Sequence, residues 1–457
     1  MLQPKHLAVL LCLTAGLMLL LSGCTDEAPA PERPDVILYT IETLRKDHCS
    51  LYGYERDTTP FLRKLADECY VFEDAYSSSS WTRPSIVSLL TGLYPTEHGA
   101  QSYKAKLVEP IVTLPELLSA AGYETAGFLS NFNVTRERWQ CRQGFQTFVD
   151  EGIKPAHLLL PDVNRWLDQR QGEQPFFLYI HTYDPHHNYN APGQFRDMFA
   201  GDYSGPLRER ADLRPSVFRE RKDWSEEERR YIQARYDGEI AFSDAMLSRF
   251  VAYLRAEGLW ENSLFILTAD HGEGFEERGY WGHGFSVFPE QVSVPLIIKL
   301  PGQAQGGRVA GPVGGIDVLP TILDVLEFRY EGPVSGQSLL PALEGGLTAR
   351  DRVFCEYSDT HAWRPGSRVQ SFALATADAY YIEETWPDAS HERYLYDRQA
   401  DPEGLDDLTE SRPEAADEYA HLLQQWRERN QPLVTDESPE LDLDEEAIRE
   451  LRDLGYL

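Results

Sequence analysis

Four groups of side chains in this sequence could act together on one ligand. Glu42 follows the apolar run 35–41. Asp270-His271-Gly272-Glu273 follows the run 264–268, and His181 with Asp184-Pro185-His186 follows the run from residue 175. Carboxylates and imidazoles brought to one rim form a donor set for a hard or borderline divalent cation. The fourth group is Ser80-Trp81-Thr82-Arg83-Pro84-Ser85. Pro84 and Ser85 can open a helix, which places Thr82 just before its N-terminus. Free backbone N–H groups and the helix dipole there favour an anion and a lowered hydroxyl pKa. Thr82 is therefore a candidate nucleophile that a bound metal would activate without a dedicated base. Its plain structural role would be a helix cap, and Ser80 and Ser85 are the alternative hydroxyls. Arg45 and Arg83 could supply positive charge locally or close salt bridges.

Such residues converge only if the apolar runs lie side by side. The runs 35–41, 125–129, 175–181, 264–268 and 294–299 are short and rich in β-formers, as buried strands are. Helical segments alternate with them. One starts at Thr58-Thr59-Pro60 with side-chain capping, one spans 114–121, and a long charged one spans 225–258 with a break near Gly238. This alternation predicts an α/β sandwich around a mixed, mostly parallel sheet, in which ligands bind beyond the carboxyl ends of the strands. After 317–323 the pattern changes to short strands (353–356, 372–375, 379–382 and 393–396) and a helix at 413–430, a smaller α+β domain.

The sequence has 457 residues, 42% of them hydrophobic and 26% charged, with a formal net charge of -31. Such a surface repels nucleic acid, and an anionic substrate needs a local metal or cations. Lys5 and His6 precede an apolar stretch that ends in Leu21-Ser22-Gly23-Cys24. This arrangement resembles the bacterial lipoprotein signal, with Cys24 as the acylated first residue of the mature chain and a membrane contact through that lipid. The expected organisation is a signal peptide at 1–23, a tether at 24–34, a catalytic domain at 35–328, a C-terminal domain at 329–435 and an acidic tail at 436–457. Cys49, Cys69, Cys141 and Cys355 lack metal-ligand spacing and read as buried thiols or one bridge.

Several short patterns occur in a telling order. They are Glu42 to Asp47, Thr82-x-Pro84-Ser85 through Pro95, His98-Gly99, Asp184-Pro185-His186, Asp270-His271-Gly272 and Trp281-Gly282-His283-Gly284. Val294 to Ile298, Asp317-x-x-Pro320-Thr321 and Leu395-Tyr396-Asp397 follow. The series resembles the sulfatases of the alkaline phosphatase superfamily over essentially the whole mature chain. The resemblance implies a metal-dependent hydrolase or transferase of phosphate or sulfate esters. Sulfatases carry, at the position of Thr82, a cysteine or serine that is oxidised to formylglycine. Threonine cannot yield that aldehyde, and Ile86 replaces a usual arginine. Glu42, Thr82, Asp270 and His271 resemble instead the single-metal site of lipoteichoic acid synthases and phosphoethanolamine transferases, which form a phosphothreonine. By the same resemblance His186 and His283 bind ester oxygens or protonate the leaving group, while Asn131 and His181 touch substrate; the alternatives are a turn residue for Asn131 and a core histidine at a strand end for His181. Mn²⁺ suits one nitrogen with several oxygens, with Zn²⁺, Ca²⁺ and Mg²⁺ as alternatives. The expected substrate is an anionic ester on a glycan, lipid headgroup or small metabolite. The expected location is the extracytoplasmic side of a bacterial envelope. Rival readings are a sulfate-ester hydrolase without formylglycine and an inactive lipoprotein that binds an anionic glycan.

Overall fold

A computed structural model of the chain describes residues 33–434 apart from 103, 136–139, 151, 173, 211–212, 214–222, 344–349 and 359–369, together with 445, 448 and 449. Cys24, the signal and tether residues up to 32 and nearly all of the acidic tail lie outside the described residues.

Eight strands form the central sheet: β1 (Val36–Ile41), β2 (Tyr70–Tyr76), β3 (Glu124–Leu129), β4 (Thr147–Val149), β5 (Phe176–Thr182), β6 (Leu264–Ala269), β9 (Leu296–Lys299) and β10 (Gly307–Gly314), while β7 (Gly274–Phe275) and β8 (Trp281–Gly282) pair in a separate two-stranded sheet. The order in the central sheet is β10-β2-β9-β6-β1-β5-β3-β4. β9 runs antiparallel to both of its neighbours, and every other pair is parallel. The sheet is therefore mixed and mostly parallel, as the alternation of elements predicts. All six side chains of β1 and of β6 and all seven of β5 are buried, which explains their continuous apolar character. The register aligns Ile41 with Thr182 and with Ala269. The chain segments bearing Glu42, His181 to His186 and Asp270 therefore leave the sheet at one edge.

The helices named here are α1 (Pro60–Leu65), α2 (Thr82–Thr91), α3 (Leu114–Ala120), α4 (Ala156–Gln169), α5 (Glu226–Ala256), α6 (Val318–Val325) and α7 (Pro413–Arg429). Two expectations are corrected. First, α5 continues through Gly238 without a break. A Cβ at this glycine would lie 2.3 Å from the Phe195 carbonyl oxygen, so the residue admits a close backbone approach. Second, the Thr59 side chain does not cap α1. The Asp244 carboxylate on α5 accepts the N–H groups of Phe61 and Leu62 at 2.8 and 3.0 Å instead. The cap is supplied by tertiary contact rather than by the adjacent residue.

From Pro34 onward the chain packs as one unit. The C-terminal part holds β11 (Arg352–Ser358), β12 (Gln370–Thr376), β13 (Ala379–Thr385) and β14 (His391–Asp397) in one antiparallel sheet, with α7 against β12 and β13. Val353, Cys355, Ala373 and Tyr380 of this sheet share a buried apolar cluster with Tyr76, Trp81 and Val287. The second sheet thus supports the residue that precedes Thr82. Cys49, Cys69, Cys141 and Cys355 are buried free thiols, so the bridge alternative falls away for them.

Candidate active site

Thr82 is the first residue of α2, slightly further into the helix than its spacing from Pro84 suggests. Extended backbone at Trp81 turns the chain into the helix, and the Thr82 side chain meets the carboxyl rim of the sheet. Its Oγ1 donates to Glu42 Oε1 at 3.2 Å and lies 3.3 Å from His271 Nε2. Asn131 donates from Nδ2 to Glu42 Oε1 and, at 3.4 Å, to Thr82 Oγ1. Its own Oδ1 accepts the Asn133 N–H at 2.8 Å, which fixes the amide orientation. Asn131 is therefore more than a turn residue.

Glu42, Asp270 and His271 each place one donor atom within 4.8 Å of the others, the one such group among the described residues. Each is at most 2% exposed. Asp270 Oδ1 accepts the N–H groups of Thr43 and His271 at 3.0 and 2.9 Å. Asp270 Oδ2 and Glu42 Oε2 receive no hydrogen bond. Two buried carboxylates with one bare oxygen each call for a cation. His271 contacts the Gly272 carbonyl oxygen through Nδ1 at 2.8 Å. A carbonyl can only accept, so Nδ1 carries the proton and Nε2 keeps its lone pair for a metal. Gly272 itself is required, because a Cβ there would fall 2.1 Å from the Glu290 carbonyl oxygen. The donor set fits a divalent ion.

Electrostatics distinguish the two carboxylates. Burial pushes Glu42 up, and the nearby Asp270 charge adds to it. Burial also acts to raise Asp270, but His271 and His181 outweigh it and hold Asp270 below the usual carboxylate range. His181 Nε2 lies 3.6 Å from Asp270 Oδ2.

His186 is oriented by its Nδ1, which donates to the His187 carbonyl oxygen at 3.1 Å, while its Nε2 lies 3.7 Å from Glu42 Oε1. Burial, and then the neighbouring His187 and His283 rings, hold its pKa well below the usual imidazole value. The His283 ring centre is 4.3 Å from that of His271 and 5.0 Å from that of His186. The two arginines go elsewhere. Arg45 bonds Asp47, Glu277 and the Glu273 carbonyl oxygen. Arg83 donates to the carbonyl oxygens of Asn133, Ser102 and Ala105. The salt-bridge alternative therefore describes Arg45, and Arg83 braces backbone. Ser85 Oγ bonds the Ser79 and Trp81 carbonyl oxygens, so this fallback hydroxyl is engaged locally.

Tyr189 escapes a reading of the sequence, and so do the contacts of Glu273 and His187. Glu273 lies next to the donor set, yet nothing in its spacing shows that it reaches His283. Tyr189 belongs to no motif. His187 reads as structural, but its ring lies tilted against that of His186, with centres 3.8 Å apart.

Residues 34–328 match the family profile described as Sulfatase, and residues 276–431 match N-sulphoglucosamine sulphohydrolase, C-terminal. The chain is similar to a multifunctional alkaline phosphatase superfamily protein of Trinickia caryophylli, at 26% identity over 86% of this chain and 95% of that one. It is also similar to an N-acetylglucosamine-6-O-sulfatase of Bacteroides thetaiotaomicron, at 22% identity over 92% and 90% of the two chains. Its fold resembles that of a phosphonate monoester hydrolase of Agrobacterium radiobacter, with a TM-score of 0.71 at 21% identity over 87% of this chain and 96% of that one.

Proposed function

The chain belongs to the sulfatase family of ester hydrolases, and from that premise we propose that it cleaves or transfers a phosphate ester through a covalent intermediate on Thr82. The observation that carries this reading is the Thr82 hydroxyl, fully buried at the start of α2 and within 3.3 Å of both Glu42 and His271. Glu42, Asp270 and His271, with Thr82 Oγ1, would hold one divalent ion, Mn²⁺ by the mix of one nitrogen and several oxygens. When bound, such an ion supplies Lewis-acid charge that lowers the Thr82 pKa and neutralises the ester.

The protein's own part is positioning. Asn131 holds the Thr82 hydroxyl and the Glu42 carboxylate in register. Thr82 Oγ1 passes its proton to the Glu42 carboxylate to which it already donates and forms a bond to phosphorus as the bond to the alcohol oxygen breaks, and that oxygen takes up a proton. His186 has only a neutral carbonyl behind its Nδ1 and its pKa is depressed, whereas the Nδ1 of His283 faces the Glu273 carboxylate, so His283 is the better proton donor. Water or a second alcohol then displaces the Thr82 oxygen. Positioning and charge neutralisation carry most of the catalysis in such transfers.

The test is turnover of p-nitrophenyl phosphate, a p-nitrophenyl phosphodiester and p-nitrophenyl sulfate, with and without Mn²⁺. Metal-dependent phosphoester cleavage should fall by about three orders of magnitude in Thr82→Ala, and mass spectrometry should find phosphate on the Thr82 peptide. Undiminished turnover by Thr82→Ala would remove the threonine mechanism. The sulfatase names of relatives support a second reading, sulfate-ester hydrolysis by unmodified Thr82. Cleavage of the sulfate alone would select it. The same proposal places the enzyme on the outer side of a bacterial membrane through acylated Cys24, and Cys24→Ser should release it into the soluble fraction.

A further inference from the structure

The His283 ring is held from behind by a buried carboxylate. Its Nδ1 lies 3.0 Å from Glu273 Oε1. The other oxygen of Glu273, Oε2, accepts the Tyr189 hydroxyl at 2.9 Å. Glu273 is 0% exposed, Tyr189 3% and His283 4%. Tyr189 has a backbone φ of 41°, a left-handed conformation that costs a bulky L-residue energy and persists only where packing enforces it. Tyr236 and Phe275 enforce it, with ring centres 5.7 and 5.9 Å away. The Glu273 backbone is pinned too, since its carbonyl oxygen accepts from Arg45 and its N–H donates to Glu290 O at 3.0 Å.

We infer that Glu273 and Tyr189 are positioning residues that commit His283 Nδ1 to a hydrogen bond, so that Nε2 is the nitrogen presented to the leaving oxygen. This rests on the reading of His283 as the proton donor. A carboxylate has an acceptor oxygen for each of the two donors aimed at it. An amide has only one acceptor oxygen, so as long as the Tyr189 hydroxyl keeps donating to it, Glu273→Gln turns its NH2 toward His283 Nδ1 and the Nδ1–H hydrogen bond is lost. Removing the Tyr189 hydroxyl frees the amide oxygen to turn to His283. Tyr189→Phe should therefore partly rescue Glu273→Gln, a result that loss of packing cannot produce.

The experiment uses full-length protein labelled with ¹⁵N in histidine, the His283 signal being assigned by its loss in His283→Gln. Wild type should show a slowly exchanging proton on His283 Nδ1. It should disappear in Glu273→Gln and return in Glu273→Gln/Tyr189→Phe. In parallel, kcat should fall about 10- to 100-fold in Glu273→Gln for alkyl phosphoesters. It should fall much less for p-nitrophenyl esters, whose leaving group needs no proton, with the same rescue. A wild-type proton on Nε2 with Nδ1 bare, or an Nδ1 proton that Glu273→Gln leaves in place, overturns the inference, as does an equal loss for every leaving group. If the Nδ1 signal responds as stated but no ester is turned over, the positioning stands and the phosphoester reading falls. Tyr189→Phe alone keeps the carboxylate and should retain the Nδ1 proton.

Discussion

Glu42 and Asp270 each keep one buried oxygen without a donor, an arrangement that destabilises the protein unless a cation arrives. Two consequences of opposite sign follow for Glu42→Gln. Without metal, the amide removes a like charge beside Asp270, and the melting temperature should rise by about 2–4 °C in chelator. With Mn²⁺, the stabilisation that wild type gains from binding should largely vanish. Thermal unfolding with and without Mn²⁺ measures both, and a variant that melts lower in chelator would show that the carboxylate is not strained. This site was largely legible from residue type, because each donor directly follows a buried apolar run. What was not legible is the hydrogen bonding behind it. Asn131 and Glu273 act through partners 89 and 10 positions away, and nothing in local spacing encodes such contacts.

At the scale of elements, glycine and aspartate on α5 show why helix boundaries mislead. Propensity alone predicts that Gly238→Ala stabilises a helix by about 1 kcal/mol. The Phe195 carbonyl oxygen, 2.3 Å from the added Cβ, belongs to backbone and cannot rotate away. Overpacking should win, giving a net loss of about 1–3 kcal/mol in urea unfolding; a gain would show that the 193–195 turn yields freely. Six positions along α5, Asp244 caps α1, and burial pushes its carboxyl up to about 7. The folded pKa is thus above the unfolded one, so the stability tied to its proton is complete below about pH 4 and is lost as pH rises through 7. Stability should fall between pH 5 and 7 by at most about 1.4 kcal/mol per pH unit from this group. Asp244→Asn should flatten that slope, and an unchanged slope would assign it to other carboxyls such as Glu356, also pushed by burial to about 7. The strands β1, β3, β5, β6 and β9 were readable because burial imposes nearly continuous apolar runs, whereas β2, β4 and β10 carry half-buried or exposed residues and were not. The cap was not, since Thr59 has the local signature while the accepting carboxylate lies far along the chain.

The whole molecule sets acidic surface against an anionic substrate. Its 74 acidic and 43 basic residues give a net charge of -31, while Arg45 is engaged by Asp47 and Glu277 and Arg83 by three carbonyl oxygens. The long-range field should therefore repel the same ester that the metal-binding group attracts at contact. The two forces have different ranges. Surface repulsion acts over a Debye length of about 30 Å at 0.01 M salt and about 8 Å at 0.15 M, while the buried site is screened far less. Raising ionic strength between these values should increase kcat/KM for an anionic ester by roughly 2- to 10-fold. It should leave kcat nearly constant, because the bound complex already lies inside the site. Steady-state kinetics in NaCl at constant pH and saturating Mn²⁺ would show it, with a neutral salt such as KCl as control for specific ion effects. A fall in kcat/KM would mean that a positive field at the mouth of the site outweighs the surface, and the substrate is steered in rather than tolerated.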